Sequence, residues 1–466
     1  MRSAGALGAL LIVSSVGLLA GCGSDDNSEF PDGGTNTDGG AQCEPFCNPG
    51  QDANIVPGDG GIPGPCVNLQ CKQVTCQGSA TTSVSGIVYD PAGKVPLYNV
   101  IGYVPNKPGD PITHGATCDK CGQVSGSPVV STLTNTKGEF VLKNVPVGTD
   151  IPLVIQVGKW RRQIKLPNVD ACKDTPLAKA DTHMPRNKSE GDIPYIALTT
   201  GGADPLECLP RKMGLDVAEF TNVGGTGSVH LYKGVGGSQL DAQTTGVATF
   251  WNSDANLKKY DMVMLGCEGG EHNENKGAPA FNAMKAYADA GGRVLGTHYH
   301  YTWLENGPAD FKSTATFNHG GNPPNPTDGY IDDSFPKGKA FAEWMSFNGP
   351  LKSNPPPIFS IKDPRRDVTT IATDSTRWVF NTAQNATYYY SFNTPVGIKP
   401  ENQCGKIVFS DLHVSSGDST GGTFPGNCTT TDLSPQEKAL EFLLFDLSSC
   451  IQDDKLPPPN PPIGPN

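Results

Sequence analysis

The sequence predicts a multidomain chain, an antiparallel β-sandwich followed by an α/β domain built on an open sheet. Three observations carry this. From Thr81 to Pro167 short stretches of alternating apolar and polar residues recur, separated by Gly- and Pro-containing turns, as two packed antiparallel sheets require. From Ile193 to Cys450 continuous apolar strands alternate with helical patterns, the signature of an open sheet covered by helices. Gly (56) and Pro (41) are abundant among the 466 residues and only 18% are charged, which suits sheets with long turns better than helical bundles.

The elements follow in order. Arg2 precedes an apolar run from Ala4 to Leu19, and small residues then lead into Cys22, so residues 1–21 read as a secretory signal. The sequence Leu19-Ala20-Gly21-Cys22 resembles a bacterial lipoprotein signal. That resemblance implies lipidation of Cys22, a membrane partner reached through that lipid, and a place in the bacterial cell envelope; Gly23 in place of Asp favours the outer membrane. Residues 22–42 are a Gly/Asp-rich spacer with almost nothing to bury. Residues 43–80 hold five cysteines among Pro and Gly, which an exported chain uses as disulfides more readily than as a zinc site. Of the chain's 14 cysteines, setting Cys22 aside leaves an odd number, and Cys267, ending an apolar strand, is the candidate free thiol. A net charge of −12 without a basic stripe excludes nucleic acid as a partner.

Residues 81–167 contain SVSGIVYD, LYNVIGYV, STLTNTKGEFVL, NVPVG and IPLVIQVGKWRRQIKL. The pattern T-x-x-K-G-E-F-x-L-x-x-V-P-x-G, Thr134 to Gly148, together with S-G-x-V-x-D, resembles the carboxypeptidase regulatory-like family, a transthyretin-like or Ig-like sandwich. The resemblance implies a spacer or a binding module, with a carbohydrate as the ligand class. Gly138 and Gly148 are expected at positive φ, and Phe140 and Leu142 in the core. Cys118 and Cys121 lie in a loop rather than at the head of a helix, so structural disulfides are expected there instead of a redox pair. Trp160-Arg161-Arg162 reads as a strand of alternating burial, with an exposed binding patch as the alternative.

After a linker at 168–192, the α/β domain spans 193–450 and a Pro-rich tail 451–466. IPYIALTTG, VHLYKG, VATFW, YDMVMLGC, RVLGTHYH, TRWVFN, TYYYSFN and GKIVFSDLH are its predicted strands. Helices are expected in DPLECLPRKMG, at SDANLKKY behind Ser253 or Asp254, over 278–290, and near 337–347 within a long insertion, 302–349. The last helix has the clearest start, with Ser434 as cap, Pro435 at the first position and Glu437 completing a capping box.

In an open parallel sheet, ligands bind beyond the carboxyl ends of the strands. There YDMVMLGC runs into Glu268, Glu271 and His272, and RVLGTHYH ends in His298 and His300. This segment resembles class I glutamine amidotransferase-like domains of flavodoxin-like type. His298 stands where that family carries its nucleophilic cysteine, so glutaminase chemistry is rejected. A histidine after G-G-x-x-x-G, with the late strand Gly405 to His413, resembles the ThuA-like branch; Ser415 stands where a triad acid would follow. Combined with the signal and the sandwich, the whole resembles a group of bacterial surface lipoproteins of uncharacterised activity.

Three readings stay open. His298 and His413, with Glu268 or Glu271, perform acid–base catalysis on a sugar-like ligand that Tyr299 and Trp303 help bind. Alternatively His298 and His300, adjacent on one strand face, hold a divalent metal such as zinc with His272, Glu271 or His413, in a metal-dependent hydrolase. In the third reading the protein is a non-catalytic binding or structural lipoprotein of the envelope. His319, in the insertion, is a residue that closing the insertion as a lid would bring over the cleft.

Overall fold

Strands form in most of the predicted segments but not in NVPVG, and one more, Asp174–Pro176, forms inside the predicted linker; they fall into two sheets before residue 177. The computed structural model describes residues 65–461, except 123, 415–416 and 430–431. The signal, Cys22, the spacer, Cys43, Cys47, Ser415 and the last five residues of the tail lie outside the described residues. Strands β1 (Ser83–Ile87), β2 (Ile101–Pro105), β3 (Pro128–Leu133), β4 (Glu139–Lys143), β5 (Ile151–Val157), β6 (Trp160–Leu166) and β7 (Asp174–Pro176) make sheets in the orders β4-β1-β7 and β3-β2-β5-β6. Pairing is antiparallel throughout except for β1 with β7, which come from distant parts of the chain. Phe140 and Leu142 are buried, and a Cβ added to Gly86 of β1 or Gly102 of β2 would touch the Phe140 ring, which therefore sits between the sheets. Gly138 and Gly148 hold φ of +72° and +124°, the left-handed turns their positions require.

The second half is one ten-stranded sheet. Its strands are β8 (Ile196–Thr200), β9 (Phe220–Thr221), β10 (Val229–Lys233), β11 (Met262–Leu265) and β12 (Arg293–Thr297), then, past the separate β-pair β13 (Ala315–Phe317) and β16 (Val368–Ile371), β14 (Thr327–Ile331), β15 (Ile358–Ile361), β17 (Ser375–Asn381), β18 (Ala386–Thr394) and β19 (Gly405–Ser410). The order β9-β10-β8-β11-β12-β19 is parallel. Beyond β19 the strands β18, β17, β14 and β15 continue it antiparallel. The sheet is therefore mixed, and the insertion contributes a helix, Pro336–Asn348, and β14 to its far edge rather than forming a loop alone. The chain leaves β8 toward β10 and returns on the other side as β11, so the topological switch lies between β8 and β11.

One predicted strand is a helix. VATFW forms Ala248–Trp251, because Val247, Phe250 and Trp251 share a helical face buried against neighbouring rings. Ser253, not Asp254, caps the following turn, accepting from Asn256 N at 3.3 Å. The helix Ala278–Asp289 stops at Gly291, φ +114°. The last helix, Pro435–Ser448, has its capping box intact and buries Leu440, Leu443, Leu444 and Leu447.

That last helix joins the two halves. One face of the sheet packs on the helix Ala278–Asp289, while the other shares a continuous core with Pro435–Ser448 and the sandwich. Trp160 is buried there with its ring 5.7 Å from Phe445, so strand burial, not a binding patch, describes it. The sandwich loop is also bonded covalently to the sheet domain through Cys118–Cys404 and Cys121–Cys450. Cys66–Cys71, Cys76–Cys172 and Cys208–Cys428 complete the bridges among the described residues, and Cys267 is free and buried. Such a framework fits an oxidising compartment. No helix among the described residues is long and apolar enough to cross a membrane.

Candidate functional site

Three neighbouring parallel strands, β11, β12 and β19, each turn sharply at the carboxyl end and deliver one side chain to a common point. After β11, Gly266 leads into Cys267, whose amide donates to Thr297 Oγ1 at 3.0 Å. Beside it, the end of β8 approaches so closely that a Cβ on Gly201 would lie 2.1 Å from the Cys267 carbonyl oxygen, a position only glycine fills. After β12 the backbone departs from extended geometry at His298, φ +38°, an uncommon and costly conformation for a residue with a Cβ. After β19 the turn is fixed by Gln436 Nε2 donating to the His413 carbonyl at 2.7 Å and by Val414 N donating to Asp204 Oδ1 at 3.0 Å.

The result is a compact cluster of donor atoms. His298 Nδ1 lies 3.4 Å from Cys267 Sγ and 3.1 Å from His413 Nε2. Ligand atoms of Cys267, His298 and His413 all fall within 4.8 Å of one another. On the far side of the ring, His298 Nε2 lies 3.3 Å from Asp367 Oδ2. Asp367 is anchored through its own amide, which donates to buried Asp411 Oδ2 at 2.6 Å. All of these side chains sit under the surface: Cys267 is 0%, His298 6% and His413 9% exposed. Burial accordingly pushes the Cys267 thiol up to about 12, partly offset by the amides of Tyr299 and Gly269 that face the sulfur. Burial, with His413 adding to it, holds His298 down at about 2, and burial with Arg365 nearby holds His413 at about 4.

The other sequence-predicted residues do not join this cluster. The strand ends at Thr297, and His298–Tyr301 form a 3-10 turn, so the alternation expected to put His298 and His300 on one face is absent. His300 instead has both ring nitrogens engaged, with Nε2 2.9 Å from the Gly266 carbonyl and Nδ1 3.1 Å from Trp303 Nε1. Trp303 is core, packed against Trp251 and Phe281, rather than a cleft wall. Glu268 is buried in an ion pair with Lys276 at 2.6 Å and also accepts from Val235 N. Glu271 accepts from the Tyr301 hydroxyl at 2.7 Å, which holds its carboxyl below the usual range. His272 pairs with Glu274 at 3.0 Å. Tyr299 does reach the cluster, its ring 4.1 Å from that of His298.

Sequence reasoning missed Cys267 as a site residue, although the rule that singled out Glu268, the end of a central parallel strand, applies equally to its neighbour. Asp367 carries no local signal; it is brought in from just before β16.

No protein-family model matches the chain, and no curated protein does. Among solved structures, a protein from Bacteroides uniformis described as ThuA-like shares 13% identity over 53% of this chain and 88% of its own, with a TM-score of 0.31. A type II cohesin–X-dockerin complex from Acetivibrio cellulolyticus shares 17% identity over 29% of this chain and 85% of that one, with a TM-score of 0.17. The first is a distant structural neighbour and no more; neither likeness identifies a ligand or a reaction.

Proposed function

We propose that this chain is an envelope lipoprotein whose α/β domain carries a divalent-metal centre of the hydrolytic kind, held by Cys267, His298 and His413, with zinc as the metal. A single observation carries the reading: the spacing of the donor atoms. Zinc–sulfur and zinc–imidazole bonds of about 2.3 and 2.0–2.1 Å at tetrahedral angles put sulfur and nitrogen about 3.5 Å apart and two nitrogens about 3.3 Å apart. The two separations from His298 Nδ1 here are 3.4 and 3.1 Å, and the third pair of ligand atoms, from Cys267 and His413, lies within 4.8 Å. The donor set of one thiolate and two imidazoles suits zinc among the common divalent ions. A fourth position left to water is the arrangement in which zinc lowers the pKa of that water and supplies a hydroxide nucleophile near neutral pH. The substrate class that the ThuA-like sequence resemblance suggests is a sugar-like molecule. Lipidation at Cys22 would tether the activity to the membrane.

Cys267, His298 and Asp367 also align as a thiol–imidazole–carboxylate series, which raises a nucleophilic cysteine as a second reading. The thiol, pushed up to about 12 by burial, argues against it, because the nucleophile is the thiolate. Elemental analysis of the protein purified without chelator is expected to give one zinc per chain, reduced to a trace in His298→Ala and His413→Ala. Rapid alkylation of Cys267 by iodoacetamide in protein lacking metal, with inhibition following it, would favour the nucleophile instead.

A further inference from the structure

We infer that Asp367 and His319 are positioning residues that couple the inserted segment to the metal centre, an inference that rests on the zinc reading above. A metal-bound imidazole almost always donates its second N–H to a carboxylate or carbonyl, which fixes its tautomer and orientation. With Nδ1 of His298 facing Cys267 and His413, the nitrogen left over is Nε2, and Asp367 Oδ2 lies 3.3 Å from it. That oxygen is buried, and its carboxylate also faces the Asp411 carboxyl, which burial and Asp367 hold well above the usual range.

The other oxygen leads outward. Asp367 Oδ1 lies 2.8 Å from His319 Nδ1, and His319 Nε2 lies 2.8 Å from Glu305 Oε2. His319 belongs to the insertion, whose backbone is tied at the same place by Asn318 N donating to the Asp367 carbonyl at 2.8 Å. The Tyr301 ring packs on the His319 ring with centroids 4.2 Å apart. A continuous series, Glu305–His319–Asp367–His298, thus runs from a half-exposed loop to a buried ligand. Flanked by two carboxylates, the His319 imidazole favours its proton despite partial burial. By linkage, the free energy by which ordering of the segment around His319 tightens the metal equals the free energy by which the metal orders that segment.

The test uses the full mature chain. Zinc affinity is measured by chelator competition for wild type, Asp367→Asn, His319→Gln and Glu305→Gln, and backbone hydrogen exchange over residues 313–322 is followed with and without zinc. Asp367→Asn is expected to weaken zinc binding by about 10- to 100-fold, with smaller losses for His319→Gln and the least for Glu305→Gln. Zinc should slow exchange over 313–322 in wild type and not in His319→Gln. Equal affinities in wild type, Asp367→Asn and His319→Gln, with exchange indifferent to zinc, would overturn the coupling while leaving the metal centre standing. A wild-type protein that takes up no zinc overturns the centre itself, and the coupling with it. If Asp367→Asn does not fold, His319→Gln, at a partly exposed residue, carries the test alone.

Discussion

Two buried polar clusters, one behind the sheet and one at its rim, are built on opposite plans. Behind the sheet, Lys337 and Lys406 face Asp446 and Asp454 at 2.6–2.9 Å, with no side chain more than 9% exposed. Ser391 Oγ adds a bond to Asp454 at 3.0 Å and accepts from Trp378 Nε1 at 2.9 Å. Cations and anions come in equal number, each supplied by a different element: the helix of the insertion, β19, the last helix and the residues after it. At the rim, Cys267, His298 and His413 crowd lone-pair donors together, and the carboxyls of Asp367 and Asp411 are buried against each other with no cation between them among the described residues. The contrast separates structure from function in physical terms. A cluster that satisfies itself holds elements together, whereas a cluster of mutually facing donors is poised to receive something.

The largest expected difference between the two is in stability. Lys406→Met leaves two buried carboxylates sharing a single lysine and should cost about 3–5 kcal/mol in denaturant unfolding. His413→Ala in metal-free protein removes a neutral ring and should cost only about 1 kcal/mol. Equal losses would erase the distinction. Next in size, zinc at a hundred times its dissociation constant should stabilise wild type by about 2.7 kcal/mol, an effect absent from Cys267→Ala and His298→Ala while Lys406→Met retains it. The effect with the smallest change per step, about one pH unit at a time, sharpens the contrast through pH. Burial opposes the Asp454 carboxylate, but Lys337 and Lys406 overcome it and hold the group well below its usual value. Its contribution is therefore present above about pH 4 and is lost as pH falls through the depressed folded value. Asp204, behind the rim cluster, is raised by burial to about 7, so its contribution has the opposite sign: present below about pH 4 and lost as pH rises to about 7. Replacing it as Asp204→Asn should flatten the fall in stability over that window, by at most about 1.4 kcal/mol per pH unit, in unfolding curves taken from pH 4 to 8.

Much of the scaffold was legible because local chemistry decides it. Ser434, Pro435 and Glu437 announce the last helix, Gly291 ends the one before β12, and the apolar runs of β11 and β12 show that they are neighbours inside a sheet. The place of the site followed from those strands. Its membership did not, because a turn at His298 with positive φ breaks the two-residue period on which pairing His298 with His300 depended. Cys267 was read as packing, since a strand-end cysteine looks the same whether it faces methyl groups or imidazoles. Asp367 and the partners Cys404 and Cys450 of the loop cysteines depend on contacts between residues more than 65 positions apart in the chain, about which local patterns are silent.

The pair of bridges from the sandwich loop has a mechanical consequence. Cys118–Cys404 and Cys121–Cys450 close the chain into two overlapping covalent rings that pass through both halves of the molecule. Severing the peptide anywhere in 168–192 would leave the pieces attached, and neither half can swing away from the other about that stretch. Access to the buried histidines therefore cannot come from a jaw-like opening of the two halves; it falls to the surface segments at the sheet's rim, which stay free to move while the body behind them is locked.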